Sequence, residues 1–194
     1  MFLGLVKDHK FIPTIYKETV FDVDYIKLYE AGIRLILTDL DNTLVSYKDD
    51  FVSDELLKFI NDRKSEGFEI AIISNNSSEK RVKEFSEKLN IQYISRAMKP
   101  LKGGFKKILK KASRKYSPNE IVAIGDQLMT DVFAANRMNY TSILVKAIDR
   151  KTETWTTRIN RSLEKHVLKR LMKKHPNLYE EKLKFYKEEN YGRD

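Results

Sequence analysis

The sequence predicts a three-layer α/β protein with a central, mostly parallel sheet that is open and doubly wound, and with helices on both faces. Several short aliphatic runs are nearly continuous, which is typical of parallel strands buried on both faces. Patterns with an apolar helical stripe lie between these runs. This alternation along the chain indicates right-handed βαβ units.

The predicted strands share an aliphatic run that ends in polar residues, and they cover 33–38, 68–74, 91–94, 120–124 and 141–145. The predicted helices share apolar residues at helical spacing, and they cover 53–66, 77–89, 101–115 and 130–138. Ser53 can cap the first of these helices. Outside this core, residues 1–30 are rich in aromatic and aliphatic side chains, and residues 152–172 form a basic amphipathic helix.

We therefore divide the chain into an N-terminal extension (1–30) that packs on the core or faces a membrane, a catalytic core (31–148) and a basic, helical C-terminal extension (149–194). A length of 194 residues fits one domain with extensions. The absence of cysteine excludes disulfides and Cys-based zinc sites, and it fits a reducing compartment. No apolar run approaches the ~18 residues of a spanning helix, so we expect a cytoplasmic protein.

Four polar features follow the predicted strands and mark a candidate site. They are Asp39-Leu40-Asp41-Asn42-Thr43, Ser74-Asn75-Asn76, Lys99-Pro100 and Gly125-Asp126-Gln127-Leu128-Met129-Thr130-Asp131. Ligands of open α/β sheets bind beyond the carboxyl ends of the strands, at the topological switch point. The four features can therefore converge in space. Each alone has an ordinary explanation as a turn or helix cap, but together and in this order they predict a catalytic site.

The carboxylates in these features suit metal-assisted phosphoryl transfer. A phosphate monoester is anionic, so a carboxylate nucleophile needs a hard cation such as Mg²⁺ on oxygen ligands. We expect Asp39 and Asp126 to bind Mg²⁺ together with the chain at Asp41, and Asp131 and Thr130 to support that metal site. Asp39 would attack phosphorus to form an aspartyl-phosphate. Asp41 would protonate the leaving oxygen and then activate water.

The remaining polar residues suit recognition of the phosphoryl group. Lys99 would offset the charge of the transferring group. Ser74 and the amide of Asn75, next to a helix start, would donate hydrogen bonds to its oxygens. Thr43 is assigned to substrate binding as well.

These residues resemble the four signature motifs of the haloacid dehalogenase (HAD) superfamily of phosphohydrolases, over roughly residues 33–146. The resemblance implies a Rossmann-like fold, Mg²⁺ dependence and the roles given above. Asp41 favours a phosphatase, because the dehalogenases lack a second Asp at this place. The spacings from Asp41 to Ser74 and from Asn75 to Lys99 leave no room for a cap domain, so we expect an open site suited to large or surface-bound substrates.

The flanking sequence is similar to subfamily IIIA, in particular its YqeG-type branch, which is related to the phosphatidylglycerophosphate phosphatases of mitochondria and plastids. The similar stretches include Val23-Asp24-Tyr25-Ile26, Gly32-Ile33-Arg34 and Thr157-Arg158-Ile159-Asn160-Arg161. With them the resemblance spans residues 11 to about 170. It implies a peripheral enzyme of phospholipid biosynthesis that converts phosphatidylglycerophosphate to phosphatidylglycerol.

The net charge of +9 is concentrated in one segment. Nine Lys or Arg residues and two Glu residues lie between Arg150 and His175. Such a cluster attracts an anionic membrane or nucleic acid, and Trp155 can sit at a membrane interface. Two ordinary alternatives stay open. Residues 11–30 can bury their rings against the sheet, and residues 155–171 can dock on the core with a basic outer face.

Three functions remain possible at this level. The first is a lipid phosphatase on the inner face of the membrane, with an anionic phospholipid as substrate. The second is a soluble phosphatase for a phosphosugar, nucleotide or phosphoprotein. The third is an RNA- or ribosome-binding module, which the intact set of Asp39, Asp41, Lys99 and Asp126 argues against.

Overall fold

The computed structural model of the chain describes residues 7–192. Across these residues, six strands form one sheet: β1 (Ile15–Lys17), β2 (Leu35–Thr38), β3 (Glu69–Ile73), β4 (Gln92–Ile94), β5 (Ile121–Gly125) and β6 (Thr141–Val145). Their order is β1-β6-β5-β2-β3-β4, and every pairing is parallel. The prediction of a parallel, doubly wound sheet is confirmed.

The helices are α1 (Tyr25–Glu30), α2 (Asp54–Ser65), α3 (Glu79–Leu89), α4 (Lys102–Lys111), α5 (Phe133–Met138), α6 (Trp155–Lys174), α7 (Pro176–Lys182) and α8 (Lys184–Tyr191). Each predicted helix of the core has a counterpart. The helix predicted over 101–115 ends at Lys111, and the Glu69 carboxylate accepts hydrogen bonds from Ser113 just beyond that end. The helix predicted over 130–138 is split into a π-helical turn (Leu128–Val132) and α5.

The two faces of the sheet are covered by different helices because alternate strand residues point to opposite faces. Ile36 and its register partner Val122 belong to a hydrophobic cluster with α1, α2 and α3. Leu37 and its partner Ala123 belong to another cluster, with α4 and α5. Both faces are therefore buried, which explains why the strands read as continuous aliphatic runs.

Residues 7–30 pack on this core. β1 adds to the sheet beside β6, and Phe11 stacks on Phe133 with ring centroids 4.7 Å apart. Phe11 and Tyr25 are buried, whereas Ile26 is 70% exposed. The sequence analysis does not predict β1, because a strand of three half-buried residues gives no aliphatic run. The part of this segment before residue 7 lies outside the described residues.

The C-terminal helices also pack on the core. Val167 and Leu171 of α6 and Tyr186 of α8 form a cluster with Leu144 of β6 and with Phe11. Thr154 caps α6, which begins three residues later than predicted but otherwise confirms the expected amphipathic helix. Since both flanking parts contact the core, the division at residues 30 and 148 stays a prediction.

The two connections on either side of β3 each contain a single α-helix. Within residues 7–192, α2 is the helix between β2 and β3, and α3 is the helix between β3 and β4, with no cap domain in either connection. No helix in this part of the chain combines the length and apolar character needed to cross a bilayer.

Candidate active site

The four polar features converge where strand order reverses. β2 and β5 are neighbours at the centre of the sheet, and their successors along the chain run in opposite directions from there. Asp39 follows β2, and its backbone N–H donates to Ile124 O of β5 at 2.9 Å, which continues the strand pairing to the carboxyl edge. Asp126 follows β5 directly. One oxygen of each carboxylate therefore lies within 4.8 Å of the other at the topological switch point.

A buried lysine joins two of the carboxylates. Lys99 Nζ lies 2.9 Å from Asp39 Oδ1 and donates to Asp131 Oδ1 at 2.6 Å. The second oxygen of Asp131 accepts from Gln127 N at 3.1 Å and from Thr130 Oγ1 at 3.2 Å. Thr130 thus supports Asp131, and Asp131 holds Lys99 beside Asp39.

The Asp131 carboxyl can pack closely against the end of β5 only because residue 125 there is a glycine. A Cβ atom added to Gly125 would lie 2.2 Å from Asp131 Cγ, far inside any real contact. Gly125 has an ordinary φ, so backbone freedom is not the reason for a glycine here. The reason is space, because the Asp131 carboxyl packs directly against the end of β5.

Asp126 is anchored from the C-terminal helices. Arg161 of α6 is 3% exposed and pairs with Asp126 Oδ2, and its Nη1 donates to Asp126 O at 2.8 Å. Its Nε donates to Glu153 Oε1 at 2.9 Å, and its Nη1 also donates to Tyr186 OH at 2.9 Å. Glu164, in turn, accepts from the backbone N–H of residue 128 at 2.9 Å. Helices α6 and α8 therefore hold the loop that carries Asp126.

Burial sets the electrostatics of these groups. It raises the pKa of Asp39 and of Asp126, and the Lys99 and Arg161 cations oppose the rise. For Lys99, burial lowers the pKa, but the Asp131 and Asp39 carboxylates outweigh it and leave the pKa above its usual value. A further cation among the carboxylates would favour their ionised forms.

The carboxylates fit a divalent cation. One oxygen each from Asp39, Asp126 and Asp131 lies within 4.8 Å of the others, and all three residues are buried. Among residues 7–192, Asp126 Oδ1 is a buried atom that accepts no hydrogen bond. An all-oxygen, anionic donor set suits a hard cation. The predicted metal ligands were Asp39, Asp126 and the chain at Asp41. In the structure, the third carboxylate beside Asp39 and Asp126 is that of Asp131.

Asp41 is held at the wall of the site. Its Oδ1 accepts from Arg81 Nε at 2.9 Å, and its Oδ2 accepts from Asn76 Nδ2 at 2.7 Å. Arg81 in turn donates to the carbonyl oxygens of Ser46, at 3.0 Å, and of Asp49. The Asp41 side chain is thus fixed by two donors that are themselves anchored.

The residues predicted to bind the phosphoryl group, Ser74, Asn75 and Thr43, have different surroundings. Ser74 lines the crevice and accepts from Asn76 N at 3.1 Å. The side chain of Asn75 accepts from Lys99 N at 2.7 Å and donates to Lys99 O at 3.0 Å, so it fixes the lysine backbone. Thr43 is buried, and its hydroxyl has no hydrogen-bond partner among the described residues.

The crevice is an open pocket of about 430 Å³. Asp39, Asp41 and Ser74 line it, and so does the start of α6 from Thr154 to Thr157. Trp155 lines the pocket mouth and is nevertheless 73% exposed. The first turn of α6 therefore forms part of the entrance to the site.

The sequence analysis missed the two arginines that hold site carboxylates. It counted Arg161 among the surface cations of the basic segment, but Arg161 is buried, so that count is corrected. The available signal was the stretch Thr157 to Arg161, which resembled the YqeG-type branch. Arg81 gave no signal, because an arginine in an exposed-looking helix is ordinary.

This strand order, the uncapped crevice and the carboxylate–lysine site define an α/β phosphoric monoester hydrolase, in agreement with the resemblance of its motifs to the HAD phosphohydrolases. A family model described as Mitochondrial PGP phosphatase matches residues 2–149. The chain belongs to that family.

Two relatives and one solved structure show how far the similarity extends. A Bacillus subtilis (strain 168) protein named "Probable phosphatase YqeG" is 37% identical over 164 residues, which are 84% of this chain and 93% of that protein. Phosphatidylglycerophosphate phosphatase 1, chloroplastic/mitochondrial, of Arabidopsis thaliana is 25% identical over 88% of this chain, which spans about half (51%) of that relative's length. A 3-deoxy-D-manno-octulosonate 8-phosphate phosphatase from Moraxella catarrhalis, solved with magnesium, phosphate and KDO, is 19% identical and covers 74% of this chain and 91% of its own, with a TM-score of 0.44.

Proposed function

We propose that this phosphatase uses Mg²⁺ and an aspartyl-phosphate intermediate to hydrolyse phosphatidylglycerophosphate, giving phosphatidylglycerol and inorganic phosphate. The observation that carries the mechanism is the buried contact of Lys99 with Asp39 and Asp131, next to Asp126. This arrangement would provide a nucleophile, a cation for the phosphoryl group and a metal site next to one another.

The chemistry follows from the positions of the two leading carboxylates. An Asp39 oxygen bonds to phosphorus while the bond from phosphorus to the ester oxygen breaks, and Asp41 gives its proton to that leaving oxygen. Water then attacks phosphorus, Asp41 takes its proton, and the bond to Asp39 breaks. Arg81 and Asn76 hold the Asp41 carboxylate at the pocket wall before it takes up the proton.

Asp39 and Asp126 would hold Mg²⁺, with Asp131 beside them and the chain at Asp41 as a further ligand. Bound there, the ion supplies the charge neutralisation that a carboxylate needs to approach an anionic phosphate. Lys99 contributes a second positive charge on the same side of the crevice. Ser74 lines the pocket and would donate a hydrogen bond to a phosphoryl oxygen.

A lipid substrate is supported by the shape of the site and by the family. The pocket is uncapped, so a head group that stays attached to a membrane can enter it. A plastid and mitochondrial phosphatidylglycerophosphate phosphatase is among the relatives. We therefore include in the proposal a peripheral contact with the inner face of the membrane through the basic segment 150–174.

Phosphate release from several monoesters tests the proposal. Phosphatidylglycerophosphate in detergent micelles should be hydrolysed in the presence of Mg²⁺ faster than phosphosugars, nucleotides or phosphopeptides. Asp39→Asn should lower kcat at least about 10⁴-fold, since removal of a nucleophile that acts as part of a unit has effects of this order. Preference for a soluble ester would overturn the lipid assignment, and activity retained in Asp39→Asn would overturn the intermediate.

The role of Asp41 has its own test. Asp41→Asn should lower kcat by about 10²–10⁴-fold for an alkyl phosphate, because the alkoxide leaving group needs a proton. For p-nitrophenyl phosphate, the rate of the first step, transfer of the phosphoryl group to Asp39, should fall much less. Its p-nitrophenolate leaving group departs without a proton. Single-turnover measurements separate this step from hydrolysis of the intermediate. Equal losses for both esters would exclude Asp41 as the acid.

A further inference from the structure

Helix α6 carries an exposed apolar ridge. Trp155, Ile159 and Leu163 are spaced by four residues and are 73%, 51% and 38% exposed. Side chains four apart lie on one strip of a helix, so the three form a continuous ridge. The ridge starts at the pocket mouth, because Trp155 lines the mouth. Ile148, which is 52% exposed, donates its N–H to Asn42 O beside the same site.

Cations line the neighbouring strip of the same helix. Arg158, Lys165, Lys169 and Lys173 are exposed and recur at spacings of seven, four and four residues. This spacing places them along one side of α6, next to the ridge. The inner face of the helix is instead formed by its buried residues, including Arg161. Four of the nine basic residues of segment 150–174 thus lie on one outer strip of α6.

The lysines of this strip also form one wall of a cleft between α6 and the last two helices. The cleft has a volume of about 720 Å³, and Lys165, Lys169, Lys173 and Lys187 line it. Leu168 and Met172 contribute apolar surface between the ammonium groups, and among residues 7–192 none that lines the cleft is acidic. A cleft with several ammonium groups over apolar surface suits a ligand that has an anionic head and an apolar body.

We propose that this outer face of α6, made of the ridge (Trp155, Ile159, Leu163) and the lysine cleft, docks on a bilayer that contains anionic phospholipids. The ridge enters the interface, and the cleft receives phosphate head groups. The inference deepens the proposed lipid-phosphatase function and rests on it for its biological meaning. Docking in this orientation places the mouth of the catalytic pocket against the bilayer surface.

Charge and hydropathy together favour this partner. An amphipathic helix with aromatic and aliphatic residues beside a row of Lys and Arg is the pattern of helices that lie in a membrane interface. Nucleic acid would engage the cations but would leave the apolar ridge exposed. A second copy of the chain would bring the same lysines face to face in a two-fold interface, which like charges disfavour.

Sedimentation with vesicles tests the docking face. The full chain should bind vesicles with about one-third phosphatidylglycerol much more tightly than pure phosphatidylcholine vesicles. Each cation near an anionic surface contributes about a fivefold factor in binding, so Lys165→Gln/Lys169→Gln/Lys173→Gln should weaken binding about 100-fold. Ile159→Gln/Leu163→Gln should weaken it as well, because less apolar area enters the interface.

Matched variants elsewhere serve as controls. Lys106, Lys107 and Lys110 are exposed on α4, and their triple change to Gln alters the net charge equally. It should weaken vesicle binding by less than about threefold, since charges beyond the Debye length of the surface contribute little. Ile26→Gln is the control for the ridge, at a residue 70% exposed on α1. Equal losses in the control triple and the cleft triple would overturn the proposal.

Two further results of the binding experiments would overturn the docking face. Failure of the wild-type chain to bind anionic vesicles at low salt overturns the docking face. Tighter binding to single-stranded RNA than to vesicles, weakened by the cleft triple and untouched by the ridge variant, also overturns it in favour of a nucleic-acid site.

Phosphate release separates this inference from the proposed function. The cleft and ridge variants should hydrolyse soluble p-nitrophenyl phosphate at the wild-type rate, which also shows that they fold. Loss of vesicle binding with this rate retained supports the docking face. Vesicle binding without release of phosphate from micellar phosphatidylglycerophosphate refutes the substrate alone. Release of phosphate from micellar phosphatidylglycerophosphate without vesicle binding refutes the docking face alone.

Discussion

Replacement of Arg161 by methionine tests whether the C-terminal helices hold the Asp126 carboxylate of the proposed metal site in place. Methionine keeps much of the apolar stem and removes every hydrogen-bond donor of the guanidinium. In the wild-type chain those donors reach Asp126, Glu153 and Tyr186, and Glu164 lies 3.5 Å from Nη1. The change therefore removes a cation from three buried acidic groups, of which Glu153 keeps Arg150 Nε at 3.7 Å.

The expected cost follows from burial. Asp126 and Glu164 are fully buried and Glu153 is 8% exposed, so water cannot replace the lost partner. Removal of one partner of a buried ion pair typically costs about 3–5 kcal/mol. With a urea m-value of about 2 kcal/mol/M, the unfolding midpoint should fall by roughly 2 M. The loss should be smaller at pH 5 than at pH 8, because protonation discharges carboxyl groups that have lost their cation.

Urea unfolding in Mg²⁺-free buffer, followed by circular dichroism, measures this loss. Arg158→Met is the matched control, three residues earlier on the same helix but exposed, and it should change stability by no more than about 0.5 kcal/mol. A loss below about 1 kcal/mol for Arg161→Met would refute the idea that Arg161 compensates buried charge. The Mg²⁺-dependent rise in melting temperature should also shrink in Arg161→Met, since Asp126 loses its anchor.

Two other predictions concern the metal site. Gly125→Ala should push the Asp131 carboxyl away from β5 and lower Mg²⁺ affinity by at least about tenfold by calorimetry, whereas Gly103→Ala, which meets no atom within 4 Å, should leave affinity unchanged. In Mg²⁺-free buffer, the free energy of unfolding should fall as the pH rises from about 4 to about 8, because burial raises the pKa of Asp39 and Asp126 and the folded chain binds more protons than the unfolded chain. Saturating Mg²⁺ should remove this fall, and a stability that is flat in pH without metal would contradict it.

The central strands could be predicted from sequence because their burial is nearly complete. β2 and β5 are buried at every position, and each lies within two residues of its predicted start and end. β1 could not be predicted, since its partner β6 is more than 120 residues away in sequence and the strand is only half-buried. The π-helical turn after Asp126 was read as ordinary helix because helical periodicity does not distinguish one extra residue per turn.

The residues of the candidate site likewise include some that could be predicted from sequence and some that could not. Asp39, Lys99 and Asp126 could be placed together because each follows a strand of the same parallel sheet. Arg161 could not, because a charge in a basic helix normally faces water, and its partner Asp126 lies 35 residues earlier in the chain. A network of this kind is visible only after the helices have packed.

The anchoring of Asp126 by α6 and α8 has a consequence for synthesis on the ribosome. Asp126 is made 60 residues before Tyr186, whose hydroxyl donates to its carbonyl at 3.1 Å. At typical translation rates, that interval lasts roughly 3 to 12 s. A nascent chain can form the central strands early, but its catalytic crevice gains its final geometry only when the last helices have emerged.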